Sequence, residues 1–489
     1  MSELAEKSLN DGVVATVEKD ALVKEGVLSS TSSGEFTYVA PSAAEDRKLT
    51  TKLDIRVIPI FGLLYLICFL DRTNIANARL AGLEKALHMP SNGFNVALSI
   101  FYIPFVLFEV PSNWIMSRPF IKPNLFLGAQ TFILGVLAMC QGLTHSYGGL
   151  LAIRFLMGIV ETSLPAGAGL LIASYYRKKE LALRFAMFFA FGQMGACFSG
   201  LLAYALMDLG GPLDGWQWIF VVEGLVTIVF SVLVFIFCPN FPAKDNLLSE
   251  KDRAMLLARL EADKGKEVEK ESTSTWLRAF VDYRVWLCTL LFFCADLSAG
   301  SLSSFNPTIL SQLGWTARRA QVMTIPVWIV GTFVALTCNL LAGRLNKRWP
   351  FLLFAISLSL TGWCIHVTYQ KSPVRYFAQF IISAGTFIAM PMYVGLLTAN
   401  VRGQAYKGVA TAIILGIGNC ANFISSNIFI TKQAPRYPVA FRTGVSITGL
   451  CFPVLALTIF LFKLHNKKIA KREAAGEVLD EQKDFKYVY

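Results

Sequence analysis

The sequence lacks the features that mark soluble enzymes and disulfide-stabilised secreted proteins. Its ten cysteines show no paired or metal-type spacing, which argues against a disulfide framework or a zinc site. Those in apolar stretches, such as Cys68 and Cys294, are predicted to act as small hydrophobic side chains. No nucleophile stands with a base, and Gly416-x-Gly418 is too short to be a phosphate-binding loop. We therefore predict no enzyme, no metal and no cofactor.

An apolar run is also missing from the start of the chain. Residues 1–50 are rich in Ser, Glu and Lys and contain no signal-peptide pattern, so we expect a disordered cytosolic tail. The net charge of +12 comes mostly from short loops and the C-terminal tail, where membrane proteins carry basic residues. We therefore predict no nucleic-acid partner.

What the sequence does contain is apolar residues, which make up 54% of the chain. They fall into twelve stretches, each close to the roughly 20 residues that a helix needs to cross a bilayer. These stretches lie at about 57–78, 93–117, 122–142, 147–174, 181–208, 216–238, 284–311, 318–342, 349–370, 374–400, 406–430 and 438–463. The fold class is therefore an all-α membrane protein with twelve transmembrane helices.

The stretches divide into two sets of six. We predict a cytosolic tail (1–50), an N-terminal six-helix bundle (51–238), a cytosolic linker with an amphipathic helix (239–280), a C-terminal six-helix bundle (281–463) and a second cytosolic tail (464–489). The motif that begins at Pro165 returns at Pro391, and the same offset relates Arg118 to Arg344. Two matches at one offset favour an internal repeat.

Basic residues predict the orientation. In the first half they concentrate in the even-to-odd loops, which places both termini in the cytosol. The second half does not repeat this bias, so the prediction rests on the first half and the basic C-terminal tail. We expect a monomer in the plasma membrane.

Ionisable residues interrupt the apolar stretches. Asp71 and Arg72 end the first apolar run, where charged side chains cost several kcal/mol unless they face a wet cavity or each other. The alternative is that they lie at the helix mouth in the headgroup region. Glu161 lies about 14 residues into the fourth stretch, roughly 21 Å deep, and Arg154 lies about two turns before it on the same face. Burial balanced by a nearby arginine predicts that Glu161 can take up and release a proton, and a structural hydrogen bond between helices is the alternative.

The remaining candidates have structural alternatives. Five charged residues are predicted to have gating or structural roles: Glu109, Arg118, Arg154, Glu223 and Arg344. Glu223 is interpreted mainly as an interhelical partner. Asn419 and Asn422 share one helical face, and Asn306 precedes a proline. These three amides either bind substrate or hold helices together.

Three segments together carry a resemblance to a known family. They are 69–78 (Phe-Leu-Asp-Arg-Thr-Asn-Ile-Ala-Asn-Ala), 108–113 (Phe-Glu-Val-Pro-Ser-Asn) and 154–161 (Arg-Phe-Leu-Met-Gly-Ile-Val-Glu). With 215–224 (Gly-Trp-Gln-Trp-Ile-Phe-Val-Val-Glu-Gly), they resemble the anion:cation symporter family of the major facilitator superfamily, in particular its fungal allantoate permease branch. The superfamily's Gly-x-x-x-Asp-Arg loop is reduced to Arg118, so the cytosolic gate is expected to use other pairs.

The resemblance implies the major facilitator fold and proton-coupled import of a small organic anion such as nicotinate, pantothenate or allantoate. It assigns the substrate carboxylate to Arg72 and the proton to Asp71 and Glu161. The alternatives are an exporter of an organic acid or secondary metabolite and a non-transporting nutrient sensor. The sequence does not distinguish between the possible anions.

Overall fold

The computed structural model describes residues 28–30, 36–38, 42–116, 118, 121–177, 180–245, 247–264, 273–345, 347–401, 404–475 and 486–487. Most of the predicted N-terminal tail lies outside these residues. Within it, β1 (Leu28–Ser30) and β2 (Phe36–Tyr38) pair in antiparallel register.

Two groups of long helices form the body of the protein. The first group comprises α1 (Ala43–Leu80), α2 (Leu83–Ala86), α3 (Gly93–Met116), α4 (Pro123–Gly142), α5 (Tyr147–Glu161), α6 (Ser163–Tyr175), α7 (Leu181–Leu206) and α8 (Gly215–Phe237). The second comprises α11 (Tyr283–Gln312), α12 (Ala317–Leu345), α13 (Trp349–Thr368), α14 (Ser372–Ala399), α15 (Gln404–Asn419), α16 (Ala421–Ile428) and α17 (Pro438–Ala474). Between them lie α9 (Glu250–Lys264), α10 (Thr273–Val281) and a 3₁₀ turn (Pro242–Lys244), and a second 3₁₀ turn (Thr431–Gln433) precedes α17.

The predicted number of membrane spans is confirmed. Among the described residues, eleven helical segments are long and apolar enough to cross a bilayer, with α5–α6 and α15–α16 each counted as one. The remaining span is α3, which is apolar over Gly93–Glu109 and helical as far as Met116. Large apolar side chains such as Leu107, Val229 and Phe333 are exposed on the outer surface, as expected for helices that face lipid.

Two helices are longer than their apolar stretches predict. α1 begins at Ala43, inside the segment expected to be the N-terminal tail, and Ser42 and Glu45 form a capping box there. α17 continues to Ala474, where the C-terminal tail was expected. Near its end, the Tyr487 ring stacks on His465 at 4.0 Å, and Asn466 exchanges hydrogen bonds with the Tyr487 backbone. Polar extensions of these helices fold because they contact other protein segments instead of lipid.

The fourth span is divided at a proline. Pro165 has no amide hydrogen, so it cannot donate to the carbonyl of Glu161 four residues earlier. The regular helix accordingly ends at Glu161 as α5 and resumes at Ser163 as α6. The glutamate that the sequence singles out therefore sits at an interruption of its helix.

Close helix contacts fix the position of this region. A Cβ on Gly158 would lie 2.2 Å from the Phe101 carbonyl oxygen, so α5 touches the backbone of α3. A Cβ on Gly195 would lie 2.3 Å from the Leu66 carbonyl oxygen, so α7 touches α1 in the same way. Small residues of this kind allow membrane helices to approach closely.

The linker docks on the end of the first bundle where α1 begins; we call this the linker end. Ser249 caps α9, and its hydroxyl donates to Asp252 at 2.7 Å. Burial opposes the charge of Asp252, but hydrogen bonds from Lys52 and Ser249 outweigh it and lower the pKa of this carboxyl. Arg259 is buried and pairs with Asp46 of α1 at 3.1 Å and with Glu180 at 2.7 Å.

We predict that Arg259→Ala destabilises the protein because it leaves Asp46 and Glu180 without this partner. Charge-assisted hydrogen bonds of this kind contribute about 1.5–3 kcal/mol, and we expect a loss of about 2 kcal/mol in the free energy of unfolding. Unfolding in detergent, by heat or by SDS, measures it. Arg253→Ala on the same helix is the matched control and should change stability by less than about 0.5 kcal/mol. Equal stability of the two variants would contradict a structural role for the Arg259 cluster.

Candidate functional site

A narrow cavity lies between the two bundles, near the middle of the helices. Its volume of about 60 Å³ holds a few water molecules and is far below the roughly 300–1,000 Å³ of ligand pockets. A ligand therefore requires the bundles to separate. The cavity is lined by Tyr65, Phe69, Arg72, Tyr102, Phe105, Glu109, Thr162, Pro165, Ala166, Phe188, Phe189, Phe292, Asp296, Ala299, Gly300, Ser303, Met390, Leu415, Asn419 and Asn422.

Arg72 and Glu161 form the ionic contact at the cavity wall. Arg72 Nε donates to Glu161 Oε1 at 2.5 Å, and the Glu161 side chain is completely buried. The guanidinium also lies over the Phe105 ring at 4.6 Å, a favourable cation–π arrangement. Two polar atoms of the pair, Arg72 Nη2 and Glu161 Oε2, are buried without a hydrogen-bond partner among the described residues.

Arg154 is not the hydrogen-bonding partner of Glu161. Its Nε donates to the Ala97 carbonyl at 3.4 Å, and its guanidinium lies over the Phe101 ring at 4.8 Å. Two helical turns separate Arg154 from Glu161 by about 10 Å along the axis, whereas Arg72 approaches from α1 at the same level. Arg154 still contributes positive charge to the region around Glu161.

Asp71 does not line the cavity. Its partner is Glu223 of α8, and the two carboxyl groups lie within hydrogen-bonding reach of each other. All four of their oxygens are buried without a hydrogen-bond donor among the described residues. Two carboxylates cannot bond to each other, but a proton on either group would allow the pair to share a hydrogen bond.

The second bundle contributes the carboxyl group of Asp296, for which no role is predicted from the sequence. Asp296 of α11 lines the cavity and accepts a hydrogen bond from Asn422 Nδ2. Asn422 is held in place because its Oδ1 packs on Gly300, where a Cβ would lie 2.0 Å from it. The signal was present, because Asp296 is an acid inside an apolar stretch, but the sequence does not show which face of α11 meets the cavity.

The other predicted residues are divided between the cavity and its surroundings. Glu109 lines the cavity from α3 and faces Gly416 of α15, and Asn419 lines it from the second bundle. Asn306 is buried outside the cavity, with both amide atoms unpartnered among the described residues. Arg118 is half-buried and Arg344 is exposed near the linker end. The assignment of these residues to gating or substrate binding stays a prediction.

The bundles touch at the end opposite the linker, which we call the loop end. Ser99 accepts a hydrogen bond from Asn427 at 2.8 Å, and Asn95 donates to the Phe429 carbonyl at 3.2 Å. Arg318 also pairs with Asp208 across the bundles at 3.1 Å. The cavity is therefore closed off on its loop-end side by direct contact.

Comparison with known proteins agrees with this architecture. A family model described as the Major Facilitator Superfamily matches residues 61–426. An uncharacterized transporter of Schizosaccharomyces pombe is 32% identical, with all of both chains covered. The high-affinity nicotinic acid transporter of Saccharomyces cerevisiae is 26% identical over 96% of this chain and 90% of its own.

Solved structures show the same fold at low sequence identity. The proton:xylose symporter XylE superposes with a TM-score of 0.61 at 17% identity, covering 82% of this chain and 95% of its own. An inward-facing bacterial homologue of the lysosomal transporter Spinster superposes with a TM-score of 0.57 at 15% identity, covering 83% and 96%. With its twelve spans in two bundles, the chain belongs to the major facilitator superfamily and is a membrane transporter, not an enzyme.

Proposed function

We propose that this transporter imports a small organic anion together with protons, and that Arg72 binds the anion's carboxylate. The observation that carries the proposal is the Arg72 guanidinium on the cavity wall, with Nη2 buried and unpartnered among the described residues. A carboxylate is the natural acceptor for such a donor. The likeness to a nicotinic acid transporter supports this substrate class and the anion:cation symporter branch.

Glu161 and the substrate carboxylate compete for Arg72, and this competition couples binding of the proton to binding of the anion. Glu161 already accepts from Arg72 Nε, so an incoming carboxylate would place two negative charges on one guanidinium. A proton on Glu161 removes one of them and leaves Arg72 to the substrate. Because unpaired charge is costly in a closed, low-dielectric site, the anion and the proton favour crossing together.

The Asp71–Glu223 pair provides a second place for a proton. Both groups are buried and neither lines the cavity, and Asp71 directly precedes Arg72 in α1. A proton shared there responds to the charge state of Arg72 and Glu161 without contact to the substrate. This keeps Asp71 among the proton-linked groups and adds Glu223 to them.

Substrate would reach the cavity by separation of the bundles at either end in turn. With the termini and linker in the cytosol, as the basic loops indicate, the contacts at the loop end close the extracellular side. Opening that side allows the anion to enter, and opening the linker end releases it. We place the protein in the plasma membrane as a monomer.

We predict that Glu161→Gln abolishes proton-driven accumulation but preserves exchange of labelled for unlabelled substrate. The amide can still accept from Arg72, but it cannot carry the proton. Uptake of labelled nicotinate with and without an uncoupler measures accumulation, and counterflow measures exchange. Glu84→Gln is the matched control, since Glu84 also pairs with an arginine, Arg79 at 2.9 Å, but at the loop end. Full uncoupler-sensitive accumulation by Glu161→Gln would show that Glu161 does not couple the proton.

We also predict that a crosslink across the loop end stops transport. In the double variant Ser99→Cys/Asn427→Cys, a short bis-methanethiosulfonate crosslinker should join α3 to α16 through disulfides, because Asn427 Nδ2 and Ser99 Oγ of the native side chains are 2.8 Å apart. Nicotinate uptake should fall to background and return when the disulfides are reduced. The two single variants control for effects of the substitutions. Undiminished uptake by the fully crosslinked protein would contradict opening at this end.

A further inference from the structure

We propose that the transported anion also carries a nitrogen with a positive charge or a proton, and that Asp296 and Glu109 bind this nitrogen. The inference rests on the proposed function, because it divides one cavity between the two ends of the substrate. Arg72 takes the carboxylate on the first-bundle side. Asp296 takes the nitrogen from the second bundle, and Glu109 lies beside them.

Buried acids outnumber guanidinium groups in the middle of the protein. In the central part of the described helices, the buried acids are Asp71, Glu109, Glu161, Glu223 and Asp296, whereas the guanidinium groups are Arg72 and Arg154. Arg72 is already bonded to Glu161, and Arg154 adds its charge near Glu161 and Asp71. The cavity lining itself contains two acids, Glu109 and Asp296, and one guanidinium, that of Arg72. This excess of acidic over basic groups is an unfavourable setting for a ligand that carries negative charge alone.

Asp296 and Glu109 are the two acids that face the cavity without a cation of their own. The one charged partner acting on Asp296 among the described residues is Arg72, from the opposite bundle. Asn422 donates to one Asp296 oxygen, and Glu109 Oε2 is buried without a hydrogen-bond partner in the described part of the chain. A positively charged nitrogen would supply what these carboxyl groups lack, since buried charges in proteins are paired.

A purely structural role for Asp296 explains less of the arrangement of Asp296 and Asn422 at the cavity. The bond between Asp296 and Asn422 does join α11 to α16, as polar side chains in membrane bundles often do. A helix contact of that kind does not require the carboxyl group to line a cavity. Asn422 is also locked against Gly300 so that its amide nitrogen points at Asp296. Asn422 is thus a positioning residue that orients the acid.

Aromatic side chains favour the same ligand. Tyr65 stacks on Phe188 with ring centroids 4.4 Å apart, and Phe105 and Phe292 complete opposite walls. Flat rings fit between such walls, and a positive nitrogen is attracted to aromatic faces. The ligand class is therefore a small ring with a carboxylate at one end and a protonated or permanently charged nitrogen at the other.

Four ring compounds test the proposal by binding to the purified full-length protein in detergent. Benzoate has the carboxylate alone, pyridine-3-carboxylate adds a basic nitrogen, 1-methylpyridinium-3-carboxylate adds a fixed positive charge, and pyridine-3-carboxamide lacks the carboxylate. Dissociation constants come from ligand-induced shifts in thermal unfolding. We expect the fixed-charge compound to bind about tenfold more tightly than benzoate, a difference of about 1.4 kcal/mol. The carboxamide should bind most weakly.

Asp296→Asn should remove this preference. The fixed-charge compound should bind the variant about tenfold more weakly, to the level of benzoate, while the affinity for benzoate changes little and shows that the site is folded. Glu109→Gln should act in the same direction. Asp214→Asn is the matched control, because Asp214 caps α8 and asparagine caps a helix equally well.

The possible outcomes distinguish failure of this inference from failure of the proposed function. If benzoate binds the native protein as tightly as the fixed-charge compound, or if Asp296→Asn keeps the preference, the inference is overturned while anion binding stands. If the carboxamide binds as tightly as the carboxylates, or if none of the four compounds binds, the proposed function itself is contradicted.

Discussion

The ion pair between Arg72 and Glu161 is the interaction on which the site depends. A single guanidinium bonded to a fully buried carboxylate is tolerable inside a membrane protein because each charge compensates the other. Any ligand that binds Arg72 in place of Glu161 must therefore leave the negative charge of Glu161 compensated by another group. In the proposed mechanism a proton provides this compensation, so that binding of an anion is linked to movement of a proton.

The architecture holds this pair in place from several directions. The contacts at Gly158 and Gly195 bring α5 onto α3 and α7 onto α1. Pro165 interrupts the fourth span immediately after Glu161. The linker fastens the beginning of α1 through Arg259. The first bundle thus presents the ion pair on a rigid wall, while the cavity is bounded on its other side by the second bundle, which carries Asp296 and Asn422.

The sequence predicts the fold well because lipid imposes a simple requirement on it. Apolar runs of spanning length mark the helices, and their ends agree closely with the structure wherever the helix ends in a loop. The beginning of α1 and the end of α17 differ, since there polar turns are stabilised by the capping box at Ser42 and by Tyr487. Hydropathy cannot show contacts of that kind.

The site is only partly predictable for a related reason. Spacing along one helix suggests Arg154 as the partner of Glu161, but the packing of α1 against α5 supplies Arg72 instead. Packing also turns Asp71 toward Glu223, leaves Asn306 outside the cavity and brings Asp296 into it. Contacts between helices decide each of these positions, and a single sequence does not contain the rotation of one helix against another.

The most direct test of the central claim is the ligand-induced difference infrared spectrum of the purified protein. If a substrate carboxylate displaces Glu161 from Arg72, saturating pyridine-3-carboxylate should produce a new protonated-carboxyl band that is absent in Glu161→Gln. Binding that leaves the carboxyl region of the spectrum unchanged, or a band that persists in Glu161→Gln, would contradict the claim that anion and proton meet at this ion pair.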